Sequence, residues 1–227
     1  AVPARTIGDH QAEYVTILGL LAATCSKMGR EVYTLMKQEF GEVEEPVPKG
    51  TVGSSTMPQK RNPRLSQDIV AGAAQLRALV PLALEAAQTE HEADRTTTVM
   101  MNRAVSNGCE LTGDILQRLI VLFEGLQVFP ERMRRNLDLS GGLIMAEAIM
   151  LELGAQIGRQ RAHDAVYDAS QASVIEGRPF RELLAEEKEV STRLTAEQIE
   201  ALLDPARYSG LCQKLAETGA ERARRTA

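Results

Sequence analysis

Hydrophobic residues recur at three- and four-residue steps along the first half of the chain, which is the spacing of one face of an α-helix. The pattern predicts three long helices, over about 8–39, from Pro63 to about 89, and over about 93–124. Gly19 and Gly29 lie inside the first of these patterns without any turn residues beside them. Because glycine has no side chain, we expect another helix to approach closely at both positions.

The second half of the chain changes character after Phe129-Pro130, where the helical segments become shorter, and we place a domain boundary there. The shorter predicted helices cover 130–137, 143–157, 159–176, 179–186, 195–203 and 208–225. Thr195 and Gln198 have the spacing of a capping box. Period-two alternation is absent, so the sequence predicts an all-α protein: part of a long-helix bundle over 1–129, followed by a smaller all-helical C-terminal domain over 130–227.

Composition narrows the possible partners. The 227 residues carry a net charge of −5, which does not favour nucleic-acid binding. The three cysteines lie far apart without metal-ligand spacing, so we predict no metal site and a reducing, cytoplasmic location. No apolar run approaches the roughly 20 residues of a membrane span, so no membrane is expected. The long helices are more apolar than one chain can bury, which indicates packing against other subunits.

The most polar stretch between the long helices is GSSTMPQKRNP, over 53–63, inside a connection that covers 41–63. Its glycines and prolines keep it out of regular structure. Lys60 and Asn62 are suitable donors to a carboxylate, and Ser54 or Ser55 becomes a proton-transfer group if its pKa is strongly lowered. Polar function concentrated on a helical scaffold indicates a site, with a plain interhelical connector as the alternative.

This stretch resembles the signature loop of the fumarase/aspartase superfamily, since every fixed position of G-S-S-x-M-P-x-K-x-N-P is present. The resemblance implies that Ser54 is the base that removes a proton from the carbon next to a carboxylate. It implies that Lys60 and Asn62 bind that carboxylate and stabilise the resulting aci-carboxylate. The further candidates for substrate contact are Ser55, Thr56 and Met57.

Membership of this superfamily carries further implications. We expect a lyase or cycloisomerase that needs no cofactor and acts on a small polycarboxylate. We expect a homotetramer whose active sites combine loops of different subunits. Members also carry an N-terminal region with an acid histidine, and the sequence from Ala1 onward does not include that region. The chain therefore looks like the C-terminal portion of a longer enzyme, and we expect it to be inactive alone.

Three residues outside the loop are possible site residues. His91 lies in an H-E pair that follows the signature loop at a distance similar to that in muconate cycloisomerases and adenylosuccinate lyases, although a surface or cap role is an equal alternative. Arg95 and Arg103 lie in the stretch ADRTTTVMMNRAV, which lacks the tryptophans expected of a bacterial cycloisomerase. Both are candidates to meet a phosphate or a carboxylate.

Other stretches favour the branch that converts 3-carboxy-cis,cis-muconate to a lactone. EFGEVEEP over 39–46 is similar in that branch and in adenylosuccinate lyases, whereas the segments 132–147 and 203–210 look more like the cycloisomerases. Gln67 stands where fumarases and adenylosuccinate lyases usually have a glutamate, which also favours a cycloisomerase. Adenylosuccinate lyase is the enzymatic alternative. A helical assembly module without catalysis is the alternative if the native chain is this short.

Overall fold

The computed structural model of the chain describes residues 6–47, 56–57 and 60–226. Within these ranges it contains ten α-helices, a few short 3-10 turns and two strands of two residues each. The prediction of an all-α protein is therefore confirmed. The chain folds into two compact units, Ala1–Arg132 and Met133–Ala227, which are described separately below.

The first unit is a bundle of three long helices: α1 (Asp9–Leu35), α2 (Arg64–Ala86) and α3 (Arg95–Gly125). Each begins and ends within four residues of its predicted limits. The two short strands, β1 (Val43–Glu44) and β2 (Gln127–Val128), pair in antiparallel register with Val43 opposite Val128. This pairing joins the segment after α1 to the segment after α3, which the sequence pattern did not indicate.

Close packing of α2 on α1 explains the two glycines inside α1. A Cβ atom built on Gly19 would lie 2.8 Å from Cγ2 of Val80. One built on Gly29 would lie 3.2 Å from Cγ2 of Ile69 and 3.3 Å from the backbone oxygen of Ser66. The expected close approach at both positions is confirmed, and helix α2 continues through Pro81.

The long helices also keep apolar side chains exposed within one chain. On α1 the side chains of Ile17 and Leu20 are 55% and 67% exposed, and on α3 the exposed set includes Val99, Ile120 and Phe123. Exposed apolar residues at this density are typical of surfaces that other protein covers. Assembly into a tetramer stays a prediction.

Helix α2 corrects the expectation that no apolar segment approaches the length of a membrane span. Among the described helices it is long and apolar enough, by length and composition only, to cross a membrane. Arg77 interrupts the apolar residues of α2, so the sequence shows no continuous apolar run of that length. A third of the most apolar stretch of α2 is buried against the rest of the bundle, and core helices of globular proteins have the same length and composition. The absence of a membrane partner remains our expectation because Ile69, Ala73 and Leu76 pack inside the bundle.

The second unit is built from shorter helices around its own core. They are α4 (Pro130–Asp138), which spans the division, α5 (Ala146–Ile157), α6 (Arg159–Glu176), α7 (Phe180–Glu186), α8 (Lys188–Ser191), α9 (Ala196–Leu202) and α10 (Cys212–Thr226). Fully buried Phe180, Ile149 and Leu184 lie in that core. The capping box of Thr195 and Gln198 is confirmed, with both hydrogen bonds present. Helix α8 was not predicted because one turn is too short for a period to be visible.

Substituting Gly19 by alanine tests the close packing of α1 and α2. The added Cβ forces a shift of the stiff Val80 side chain, so we expect a loss of about 1 kcal/mol in the free energy of unfolding after the gain in helix propensity. Gly113→Ala in α3 is the matched control, since nothing lies within 4 Å of its built Cβ. That variant is expected to gain up to about 1 kcal/mol. Urea unfolding measures both, and equal gains would contradict close packing.

Candidate active site

A buried carboxylate before the signature loop is hydrogen-bonded to the helix that follows the loop. Glu45 is only 4% exposed, and its two oxygens accept the backbone N–H groups of Leu65 at 3.0 Å and Ser66 at 2.8 Å. These amides belong to the first turn of α2, where backbone donors have no partner within the helix. Pro63, the N-cap residue, provides no side-chain cap. Glu45 therefore caps α2 from 20 residues away and holds together the two ends of the connection.

Arg132 fixes the other side of the same connection. Its guanidinium donates to the backbone oxygens of Phe40 at 2.7 Å, Gln38 at 3.1 Å and Glu39 at 3.3 Å. The N–H of Phe129 donates to the oxygen of Glu42 at 2.9 Å. Together with the pairing of β1 and β2, these bonds hold the turn after α1 against the segment after α3. The loop thus begins and ends on fixed backbone.

The structure describes part of the predicted site. Ser54 and Ser55 lie outside the described residues. Thr56, Met57 and Lys60 are exposed, whereas Asn62 is half-buried. The N–H of Lys60 donates to the oxygen of Met57 at 3.0 Å. This bond links Met57 to Lys60, and Asn62 lies two residues before the start of α2 at Arg64.

Lys60 and Asn62 line a cavity of about 700 Å³. Its walls also include Lys37 and Gln38 after α1, Arg61 and Met57 from the loop, and Gln67 from α2. None of its described lining side chains is acidic. A smaller cavity of about 170 Å³ lies against the same three residues 60–62. Its lining includes apolar Pro46, Leu65 and Val121 and also Glu45. The cations and amides of the larger cavity suit an anion.

His91, Arg95 and Arg103 do not lie near Lys60 within one chain. Helix α2 has 23 residues, so its two ends are about 34 Å apart, with Lys60 before one end and His91 after the other. His91 has φ of +54° in the tight turn between α2 and α3. Arg95 lines a separate polar cavity of about 760 Å³ at the start of α3. A site that holds both groups needs two chains.

Sequence reasoning missed two residues that matter here. Lys37 lies at the end of the long α1 pattern, next to the loop, and only the turn that follows brings it to the cavity of Lys60. Glu45 gave no local capping signal because its target amides lie 20 residues later in the chain. The sequence marks Gln67 only as a replacement for the glutamate of fumarases and adenylosuccinate lyases, and does not predict that it lines the cavity.

Comparison with known proteins agrees with this geometry. A family model described as "Lyase" matches residues 3–77, and one described as "Adenylosuccinate lyase C-terminus" matches residues 142–218. The crystal structure of 3-carboxy-cis,cis-muconate lactonizing enzyme from Pseudomonas putida superposes with a TM-score of 0.86 at 38% identity, over 98% of this chain and 50% of that chain. The chain belongs to the fumarase/aspartase superfamily.

Two relatives from the superfamily are identical to this chain to a similar extent but have different names. The 3-carboxy-cis,cis-muconate cycloisomerase of Pseudomonas aeruginosa is 41% identical over 208 residues, which is 92% of this chain and 45% of that protein. The N-acetyl-S-(2-succino)cysteine lyase of Enterococcus italicus is 37% identical over 221 residues, which is 92% of this chain and 47% of that protein. The chain spans about half the length of these relatives, and similarity alone does not choose between their reactions.

Replacing Glu45 tests whether its carboxylate caps α2. In Glu45→Ala the buried amide of Ser66 and the half-buried amide of Leu65 lose their acceptor, so we expect a loss of about 2–3 kcal/mol in the free energy of unfolding. We also expect faster hydrogen exchange at Leu65 and Ser66. Glu45→Gln keeps one acceptor oxygen and should lie between the alanine variant and the wild type.

Glu44→Ala is the matched control for this prediction. Glu44 makes a partly exposed ion pair with Arg61, with 3.4 Å between Oε1 and Nε, which contributes less than about 1 kcal/mol. Hydrogen exchange at Leu65 and Ser66 that rises equally in both variants would show that Glu45 has no special capping role.

Proposed function

We propose that the protein is an enzyme that interconverts 3-carboxy-cis,cis-muconate, or a closely related polycarboxylate, and its lactone without a cofactor. The observation that carries this proposal is the cavity in which Lys60 and Asn62 meet further cations and amides but no described carboxylate. The similarity to cycloisomerases over more than nine tenths of the chain supports it.

The reaction proceeds through an aci-carboxylate. In the lactone-forming direction a substrate carboxylate oxygen adds to the carbon–carbon double bond, and the electron pair moves into the carboxylate on the neighbouring carbon. Lys60 and Asn62 stabilise the charge that develops there. The Ser54 hydroxyl delivers a proton to the carbon next to that carboxylate. In the reverse direction the Ser54 alkoxide removes this proton and the C–O bond breaks.

Further parts of the proposal follow from the superfamily. Ser55, Thr56 and Met57 contact the substrate. His91, Arg95 and Arg103 join the site from another subunit of a homotetramer, because His91 and Arg95 follow the far end of α2 in the same chain and Arg103 lies two turns into α3. The exposed apolar residues of α1 and α3 provide the contact surface. The enzyme acts in the cytoplasm on a small molecule, without a nucleic acid or a membrane.

Adenylosuccinate lyase, which releases fumarate and AMP, is the second candidate. The match of residues 142–218 to the adenylosuccinate lyase C-terminal model favours it. Gln67 in the cavity of Lys60 argues against it, since an amide cannot take the place of the usual glutamate. The third candidate is a helical assembly module without catalysis, which retention of Ser54, Lys60 and Asn62 disfavours.

Assays on the product of the complete reading frame separate these candidates. We expect carboxymuconate to be consumed with lactone formation and adenylosuccinate to be left unchanged. Release of fumarate from adenylosuccinate, with carboxymuconate ignored, would establish the second candidate. A stable oligomer that binds no dicarboxylate at millimolar concentration would establish the third.

Two substitutions test the assigned roles. Ser54→Ala removes the base and is expected to lower kcat about 10³-fold. Lys60→Met removes the cation that faces the developing charge and is expected to lower kcat about 10²–10³-fold. The matched controls, Ser191→Ala in α8 and Lys214→Met in α10, change exposed residues of the second unit and should leave kcat unchanged. Unchanged turnover in Ser54→Ala would disprove the mechanism.

A further inference from the structure

The cavity beside the signature loop contains one more cation than the signature itself supplies. Lys37, just after α1, lines it together with Lys60 and Asn62. We propose that Lys37 binds the substrate carboxylate that takes no part in bond formation, and that neutral Gln67 keeps a competing carboxylate out of the cavity. This inference rests on the proposed function, because it names two specificity-determining residues for that same site.

The charges around the cavity are not balanced. Arg61 is paired with Glu44, with 3.4 Å between Nε and Oε1. Lys37 and Lys60 have no ion-pair partner in the described part of the chain. Two lysines therefore line a cavity whose described lining residues include no acidic side chain. An anion with a carboxylate for each lysine satisfies both charges.

The proposed substrate, 3-carboxy-cis,cis-muconate, has three carboxylates. One becomes the aci-carboxylate on Lys60 and Asn62, and another supplies the oxygen that forms the new C–O bond. The remaining carboxylate takes no part in bond formation, and we assign it to the Lys37 ammonium.

Lys37 is held in position by its surroundings. Its backbone oxygen accepts the N–H groups of Phe40 at 3.0 Å and Gly41 at 2.7 Å, which forms a tight turn. The Arg132 guanidinium binds the three carbonyls that follow. The Lys37 ammonium lies 5.7 Å from the centre of the Tyr33 ring, which lines the same cavity. The cation thus projects from fixed backbone and stacks on a wall of the cavity.

The part of the cavity next to the C-terminal end of α1 repels an anion unless a cation is present there. Helix α1 ends at Leu35, so the negative end of its dipole points toward the cavity side of the turn. Lys37 offsets that field. Gln67, on the first turns of α2, contributes an amide, and a carboxylate in its place would compete with the substrate for Lys37 and Lys60.

Titration calorimetry with two unreactive probes, propane-1,2,3-tricarboxylate and succinate, tests the proposal. Lys37→Gln should lower the affinity for the tricarboxylate about ten-fold and that for succinate less than about two-fold. Gln67→Glu should also lower the affinity for the tricarboxylate more than that for succinate. The matched controls Lys27→Gln and Gln75→Glu make the same charge changes on α1 and α2, outside the cavity lining, and should leave both affinities unchanged.

Methionine methyl NMR locates the probe independently. Met36 and Met57 line the cavity, whereas Met145 and Met150 lie in the second unit. We expect the tricarboxylate to shift only the first pair. An equal loss of affinity for both probes, no binding of either probe, or shifts confined to Met145 and Met150 would each overturn the proposal. These results are independent of the turnover assay, so a failure of lactone formation is told apart from a failure of this inference.

Discussion

The hydrogen bonds of the buried Glu45 carboxylate are the constraint on which the site depends. Glu45 precedes the signature loop, and the first turn of α2 follows it, so a bond between them fixes the distance between the two ends of the loop. Glu45 joins those ends through the first-turn amides of α2. Removing this carboxylate leaves one buried and one half-buried donor without an acceptor, which is more costly than losing a bond at the surface. Lys60 and Asn62 lie within six residues of the amides that Glu45 binds.

The length of the helices bears directly on the proposed site, which combines Lys60 with His91. A helix as long as α2 separates the groups at its two ends by about 34 Å, so Lys60 and His91 cannot act on one small molecule within a chain. Tight packing at Gly19 and Gly29 keeps α1 and α2 in register along this length. The same length creates apolar faces that one chain leaves exposed. We therefore regard subunit assembly and site formation as one physical problem in the proposed enzyme.

Much of this could be predicted from the sequence, for identifiable reasons. The boundaries of α1, α2 and α3 follow from a helical period sustained over more than 20 residues. The capping box at Thr195 and Gln198 was predictable because both partners lie within one turn. The one-turn helix α8 and the pairing of β1 with β2 were not predictable, because two to four residues show no period. The apolar character of α2 was underestimated because Arg77 interrupts an otherwise apolar run.

By itself the sequence determined the helical class, the lengths of the long helices, the superfamily and the chemical character of the loop, since each depends on residues close together in the chain. Only the tertiary structure decided which distant residues meet. Lys37 and Gln67 enter one cavity with Lys60, Glu45 caps a helix 20 residues away, and Arg132 binds the turn after α1 from more than 90 residues away. These contacts depend on how helices pack and where the chain turns, and no local pattern of residues encodes them.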